Sequence, residues 1–193
     1  ISYLVLRGKC RDCNNKISII YPVIEIITAL LLLAGFFKFG LTFDFLVYFV
    51  LAPTLVIITV VDIKHQIIPD IITLPGLALG LAAGSYSIGY ANSFMGFLLG
   101  CGLFYLLAIL SNGGIGGGDI KYIAAAGAFV GWQKVLLIIF ISAVLGTFVG
   151  LFQIGFQKKT RKNIIPFGPL LSVATLITLF YGNLLIKLYI DNL

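Results

Sequence analysis

Long apolar runs dominate the chain, and short polar breaks separate them. The runs fall at about 21–39, 44–61, 67–88, 92–111, 119–131, 134–157 and 165–190. None alternates with a period of two, and each far exceeds strand length. A bilayer core takes roughly 20 apolar residues per helix, with a range of about 17–25. Helices satisfy their own backbone groups in lipid. The pattern therefore predicts an all-α fold, a polytopic transmembrane helical bundle of about seven spans. The fifth run is short, and its Ala124-Ala125-Ala126-Gly127-Ala128 segment suits close helix contact. It is expected to be tilted, partly inserted, or joined in effect to the sixth.

Composition agrees, with 60% hydrophobic and 10% charged residues, against about 25% charged in soluble domains. Residues 1–20 read as a polar, cysteine-containing loop and 21–193 as a membrane-embedded domain. No cleavable signal peptide is visible at the start, and Ile1 is not an initiator methionine, as expected of a fragment or a processed form.

Charge predicts the orientation. With Arg7, Lys9, Arg11 and Lys16 in the cytoplasm and seven alternating spans, Lys64, Lys121, Lys158, Lys159, Arg161 and Lys162 fall on the same side. Lys38, Lys134 and Lys187 fall on the other, a ten-to-three division of the thirteen cationic residues. That bias follows the positive-inside rule. The net charge of +6 fits cytoplasmic loops meeting anionic lipid and requires no nucleic-acid partner. The Lys158-Lys159-Thr160-Arg161-Lys162 run reads as such a loop.

On this topology Asp62, Asp70 and Asp119 share the cytoplasmic face. Carboxylates at membrane level are costly and by default mark function. Asp62 closes the second run, ahead of Ile68-Pro69-Asp70, and Asp119 follows Gly116-Gly117-Gly118. Two carboxyls on one face, 57 positions apart in sequence, have the makings of an acid/base pair. Pro69 breaks the helix pattern, which leaves Asp62 at the membrane edge near water. Asp62 also reads as part of a solvated loop, and Asp70 as the cap of the next helix. The glycine run, from Gly113 to Gly118, permits positive φ and close backbone approach. It reads as a bare approach to Asp119 for a substrate backbone, or as a flexible turn. A phosphate loop is disfavoured, because no Gly-Lys-Ser/Thr follows.

Ile165-Pro166-Phe167-Gly168-Pro169 interrupts the start of the last run, as a cleft lining or as a helix start. Cys10 and Cys13 form one Cys-x-x-Cys pair, half of a four-ligand zinc site. Cys101 lies in an apolar run and reads as packing. Glu25, about one turn into the first run, is either a functional carboxylate or a partly solvated one.

At these residues the chain resembles the type IV prepilin peptidases, membrane aspartyl proteases with a Gly-x-Gly-Asp motif that presenilin-like proteases share. The matching segments are Asp62…Ile68-Pro69-Asp70, Gly116-Gly117-Gly118-Asp119-Ile120-Lys121 and Ile165-Pro166-Phe167-Gly168-Pro169. Arg7-Gly8-Lys9-Cys10-Arg11-Asp12-Cys13…Ile17-Ser18…Tyr21-Pro22…Glu25 is similar to the family's cytoplasmic cysteine loop and the helix that follows it. The family has a further span and a further Cys-x-x-Cys before this point, neither within these 193 residues, so the zinc site that the resemblance implies is halved here.

The resemblance implies Asp62 and Asp119 as the catalytic pair, with Gly116, Gly118, Pro166 and Gly168 along the substrate. It implies cleavage of the basic leader from prepilins or pseudopilins at the cytoplasmic face of a bacterial inner membrane. A second activity, methylation of the new amino terminus with S-adenosylmethionine, is also implied, with Glu25 as its candidate residue. Proteolysis itself requires no cofactor. The rival from another class is a proton- or ion-coupled transporter, in which broken helices also carry carboxylates. Against it, the chain has no internal repeat, and both aspartates stand at the ends of spans.

Overall fold

The computed structural model of the chain describes residues 3, 6, 8–11, 13–111, 114–157 and 166–192. Arg7, Asp12, Gly113, the 158–162 basic run and Ile165 lie outside the described residues. Among the described residues seven helices follow one another: α1 (Ile20–Phe39), α2 (Phe43–His65), α3 (Asp70–Gly84), α4 (Tyr90–Leu110), α5 (Gly117–Val130), α6 (Trp132–Gln157) and α7 (Gly168–Asp191). A single π-helical turn, Ser85–Gly89, joins α3 to α4. The described residues contain no strand, only an isolated antiparallel bridge between Lys9 and Lys16.

Five helical stretches are long and apolar enough to cross a membrane, against the seven spans expected. Two features account for the difference. The third and fourth runs are linked by the π turn without a polar break, so Asp70–Leu110 counts as one apolar helical stretch of 41 residues although it folds back at Gly89. The fifth run becomes α5, with only 14 residues, or roughly 21 Å of helix against a hydrocarbon core of about 30 Å. Such a short helix survives because it hides from lipid: Tyr122 through Ala128 are all buried.

The chain divides into two compact units, Ile1–Val56 and Ile57–Leu193, with the division inside α2. In the first unit the Tyr48 hydroxyl donates to the Leu31 carbonyl at 2.9 Å, and the Tyr48 ring lies where a side chain on Gly35 would project. The cysteine loop is drawn closed by Cys10 N–H to the Asn15 carbonyl at 2.9 Å and Ile17 N–H to the Gly8 carbonyl at 2.8 Å.

The second unit is built around α5. The Gly80-x-x-x-Gly84 stripe of α3 packs on α5 near Ala125 and Ala128, so these two helices run parallel. Gly96-x-x-x-Gly100 of α4 packs on Gly127 and then Ile123, so α4 runs antiparallel. The π turn is thus a hairpin. A Cβ at Gly84 or Gly96 would run into backbone carbonyls of α5. Without side chains there, the helices meet backbone to backbone, and dispersion contacts replace the hydrophobic effect that lipid cannot supply. Two buried hydrogen bonds add register: Ser93 Oγ to the Ala128 carbonyl at 2.7 Å, and the Tyr122 hydroxyl with Thr175 Oγ1 of α7 at 2.8 Å.

Candidate active site

One end of the second unit collects the chemistry-bearing residues. Helix α2 continues one turn past Asp62, and Gln66 N–H still donates to the Asp62 carbonyl at 2.9 Å. Gln66, at φ 54°, then ends the helix, ahead of Pro69. Asp62 therefore belongs to the last turn of a helix, not to its edge, and only 5% of it is exposed. Its Oδ2 accepts the backbone N–H of Gly168 at 2.8 Å, a buried contact across 106 positions of sequence. Gly168 is the first residue of α7, so the carboxylate sits on a helix N-terminus, whose free N–H groups and dipole favour negative charge.

The absence of a side chain makes this possible. A Cβ on Gly168 would lie 2.8 Å from Asp62 Oδ2 and 3.0 Å from Cγ. Gly168, expected along the substrate, touches a carboxylate of the protein itself. Pro166 is half-buried just ahead of it.

Asp119 is the third residue of α5, with Gly116 at the cap position. It lies at the start of α5, outside the five spanning helices. Burial first, and the negative charge of Asp62 second, push its carboxyl up from the ordinary 3.8 to about 6; a backbone hydrogen bond from Gly116 pulls it part of the way back. The Asp62 charge is thus near enough to be felt at Asp119.

The glycines before Asp119 divide into three situations. Gly116 faces Asp119, whose Oδ2 would lie 3.3 Å from an added Cβ. Gly118 faces the buried Ile68 of the α2–α3 connection, with Ile68 Cβ at 3.0 Å and its carbonyl at 3.2 Å from an added Cβ. Gly117 alone has nothing within 4 Å. None of the three adopts positive φ, so close approach, not left-handed backbone, explains them. Gly118 was expected to clear a path for substrate; the protein's own Ile68 uses that space. The open position is Gly117, which sequence reasoning passed over because three adjacent glycines look alike until their neighbours are known.

Asp70 is not a cap. Pro69 holds the cap position, and both Asp70 oxygens accept from Lys121 Nζ at 2.7 and 2.8 Å. This half-exposed pair ties the start of α3 to the start of α5, two residues beyond Asp119. His65, the last residue of α2, is exposed. In the first unit, Glu25 is exposed on α1, and Cys10 and Cys13 lie in the bridged loop. Among the described residues no group of three or more His, Cys, Asp or Glu gathers to hold a metal ion. Two thiols supply half of a tetrahedral zinc site.

A helical membrane protein with one buried and one half-buried carboxyl at one end, the buried one seated on a helix N-terminus, has the parts of an aspartyl protease. Comparison with known proteins narrows this. Residues 49–151 match the type IV leader peptidase family, and residues 1–39 match the bacterial Peptidase A24 N-terminal domain. The chain belongs to the type IV leader peptidase family. It is 34% identical to a prepilin leader peptidase/N-methyltransferase of Legionella pneumophila, over 98% of this chain and 69% of the relative. The corresponding protein of Aeromonas hydrophila is 35% identical over 100% of this chain and 69% of its own length. That of Pseudomonas aeruginosa is 32% identical over 99% and 68%. No solved structure matches. The transporter alternative finds no support among these relatives.

Proposed function

We propose that the chain is a membrane aspartyl endopeptidase that cleaves the leader from prepilins or pseudopilins, with Asp62 as general base and Asp119 as general acid. The observation that carries this reading is the unequal seating of the two carboxyls. Asp62 rests on the α7 N-terminus, where a hydrogen bond from Gly168 is strengthened by negative charge. Asp119 is half-buried near that charge and retains a proton more readily than a free aspartate. A carboxyl that accepts a hydrogen bond at a helix N-terminus, beside one that holds its proton, supplies a base and an acid at one pH.

In the proposed reaction, Asp62 takes a proton from water as the water oxygen attacks the scissile carbonyl carbon. Asp119 gives its proton to the carbonyl oxygen, producing a gem-diol. Collapse of the diol breaks the C–N bond. The leaving amine takes the proton held by Asp62, and one diol hydroxyl returns its proton to Asp119. Both carboxyls end as they began, and no covalent enzyme intermediate forms.

The active end is read as cytoplasmic, and the membrane as the bacterial inner membrane. The C-terminal end of α2 and the N-terminal ends of α3, α5 and α7 share this end of the unit, and Lys64 and Lys121 lie in those helix ends. A leader bearing basic residues would meet the enzyme there.

The relatives' names pair the peptidase with an N-methyltransferase. S-adenosylmethionine would require a site that buries most of its surface, and the exposed Glu25 offers no such cradle. No methylation step is assigned to it.

The decisive experiment is cleavage of a leader-bearing prepilin by membranes carrying this chain, its Asp62→Asn variant or its Asp119→Asn variant. Each variant should insert normally and lose at least roughly 100-fold in turnover, the lower end of what a positioned acid or base contributes. Normal turnover by either one would overturn the assignment.

A further inference from the structure

At the end of the second unit opposite the carboxyls lies a separate cavity of about 190 Å³. Asn92 of α4, Trp132, Gln133 and Lys134 of α6, and Asn183 of α7 supply its polar wall. Among the described residues that line it, one is cationic and none is acidic. The Lys134 stem passes α7 where Gly182 has no side chain, with Cγ and Cδ 3.6 Å from where a Cβ would stand. The half-buried lysine is thus held by packing of its stem and stands in the cavity wall. Asn92 uses one amide N–H on the Ile88 carbonyl at 3.0 Å and has another. The first bond within α6 runs from Val135 N–H to the Gly131 carbonyl at 3.0 Å, so its opening turn leaves N–H donors for other acceptors.

Depth decides what this wall can meet. Asn183 stands roughly 22 Å along α7 from Gly168, and α7 continues for roughly 12 Å beyond it. Helix α5 ends at the same level, after roughly 21 Å. A hydrocarbon core is about 30 Å thick, so the cavity is a polar notch below the usual level of the far headgroups. A lysine at that depth is costly unless it meets an anion or water. Lys134 is also one of the three cations that run against the ten-to-three charge division. We propose that this notch binds the phosphate of a phospholipid headgroup, drawn down from the leaflet opposite the carboxyls. A bilayer thins around a hydrophobic helix shorter than its core, and α5 is such a helix. Thinning brings headgroups to the cavity, where the Lys134 ammonium and the amide N–H groups are donors matched to phosphate oxygens. A lysine ammonium carries three donors, so a phosphate joins any protein partner that Lys134 already has. Trp132, 36% exposed at the mouth of α6, suits the headgroup level. The site shares no residue with the carboxyl end, so it stands or falls apart from the protease reading.

The test titrates the full chain, purified in a non-ionic detergent, with dioleoyl phosphatidylglycerol, with dioleoylglycerol, which lacks the phosphate, and with inorganic phosphate. Binding is read by native mass spectrometry and by thermal unfolding. Phosphatidylglycerol should bind saturably and raise the melting temperature, and the other two should do neither. Lys134→Met keeps a stem against Gly182 and removes the charge. It should weaken phosphatidylglycerol binding by about 10-fold or more, the lower end for a hydrogen bond to a charged group. Asn183→Leu changes an exposed residue of α7 and should weaken it by about 3-fold or more. Lys187→Met, exposed on the same helix outside the cavity, should stay within about 2-fold of wild type. Should Lys134→Met fail to insert, Asn183→Leu carries the same comparison. Dioleoylglycerol binding as tightly as phosphatidylglycerol, or Lys134→Met and Asn183→Leu both within about 2-fold of wild type, overturns the site. Inorganic phosphate that binds as tightly as the phospholipid overturns the headgroup as its source.

Discussion

Gly168→Ala tests the seat of Asp62 with one methyl group. The new Cβ would stand 2.8 Å from Oδ2, 3.0 Å from Cγ and 3.1 Å from Cβ of Asp62. Ordinary contact starts near 3.4 Å, so the carboxylate has to retreat by about 0.6 Å. It has little freedom to do so, being 95% buried in the last turn of α2. The 2.8 Å bond from the Gly168 N–H is the contact that gives way. A hydrogen bond to a charged group contributes about 1.5–3 kcal/mol, which corresponds to roughly 10- to 150-fold in rate if the base depends on it. Displacement of a reacting group by about 1 Å carries a penalty of the same order. The assay is single-turnover cleavage of a prepilin reporter in proteoliposomes, with thermal unfolding followed on the same preparations. Gly102→Ala is the control, since nothing lies within 4 Å of its added Cβ. Gly168→Ala with cleavage within about 2-fold of the control would show that the contact does not set the base.

Gly118→Val should lower the melting temperature as well as turnover, because its side chain meets the Ile68 backbone; overpacking of this kind costs about 1–3 kcal/mol. An unchanged melt would mean that the α2–α3 connection yields freely. Asp70→Asn should retain most cleavage and lose no more than about 1 kcal/mol of stability, since its pair with Lys121 is half-exposed; loss of turnover comparable to Asp119→Asn would place Asp70 in the chemistry. The pH dependence follows from Asp119. A carboxyl raised to about 6 is roughly nine-tenths protonated at pH 5 and roughly one-tenth at pH 7. If Asp119 must start protonated, kcat/KM falls as pH rises through about 6, and the limb in kcat moves higher when bound substrate excludes water. A profile flat from about pH 5 to 8 would remove Asp119 from the role of acid.

The carboxyls were legible in the sequence because a bilayer makes charge conspicuous: Asp62 and Asp119 stand at the ends of apolar runs where nothing else explains them. Six helices were equally legible from length and hydropathy. The small residues of 124–128 pointed to close packing, and α5 confirms it. The roles of individual glycines were not legible. Gly168 matters because of Asp62, 106 positions away, and Gly118 because of Ile68. Such contacts leave no local pattern, only the absence of a side chain. The number of spans was legible only approximately, because run length measures fitness to face lipid, whereas α5 faces other helices.

The glycine seams also limit how a pilin precursor reaches the site. A helix with its side chains is about 10 Å across. Where Gly84 and Gly96 lie against carbonyls of α5, not even a methyl group fits between neighbours. Parting those seams would break backbone-to-backbone contacts along the length of α5 and the Ser93 bond with them. The α3 and α4 flanks are therefore walls and not doors. A membrane-embedded substrate has to reach Asp119 without parting α3 or α4 from α5.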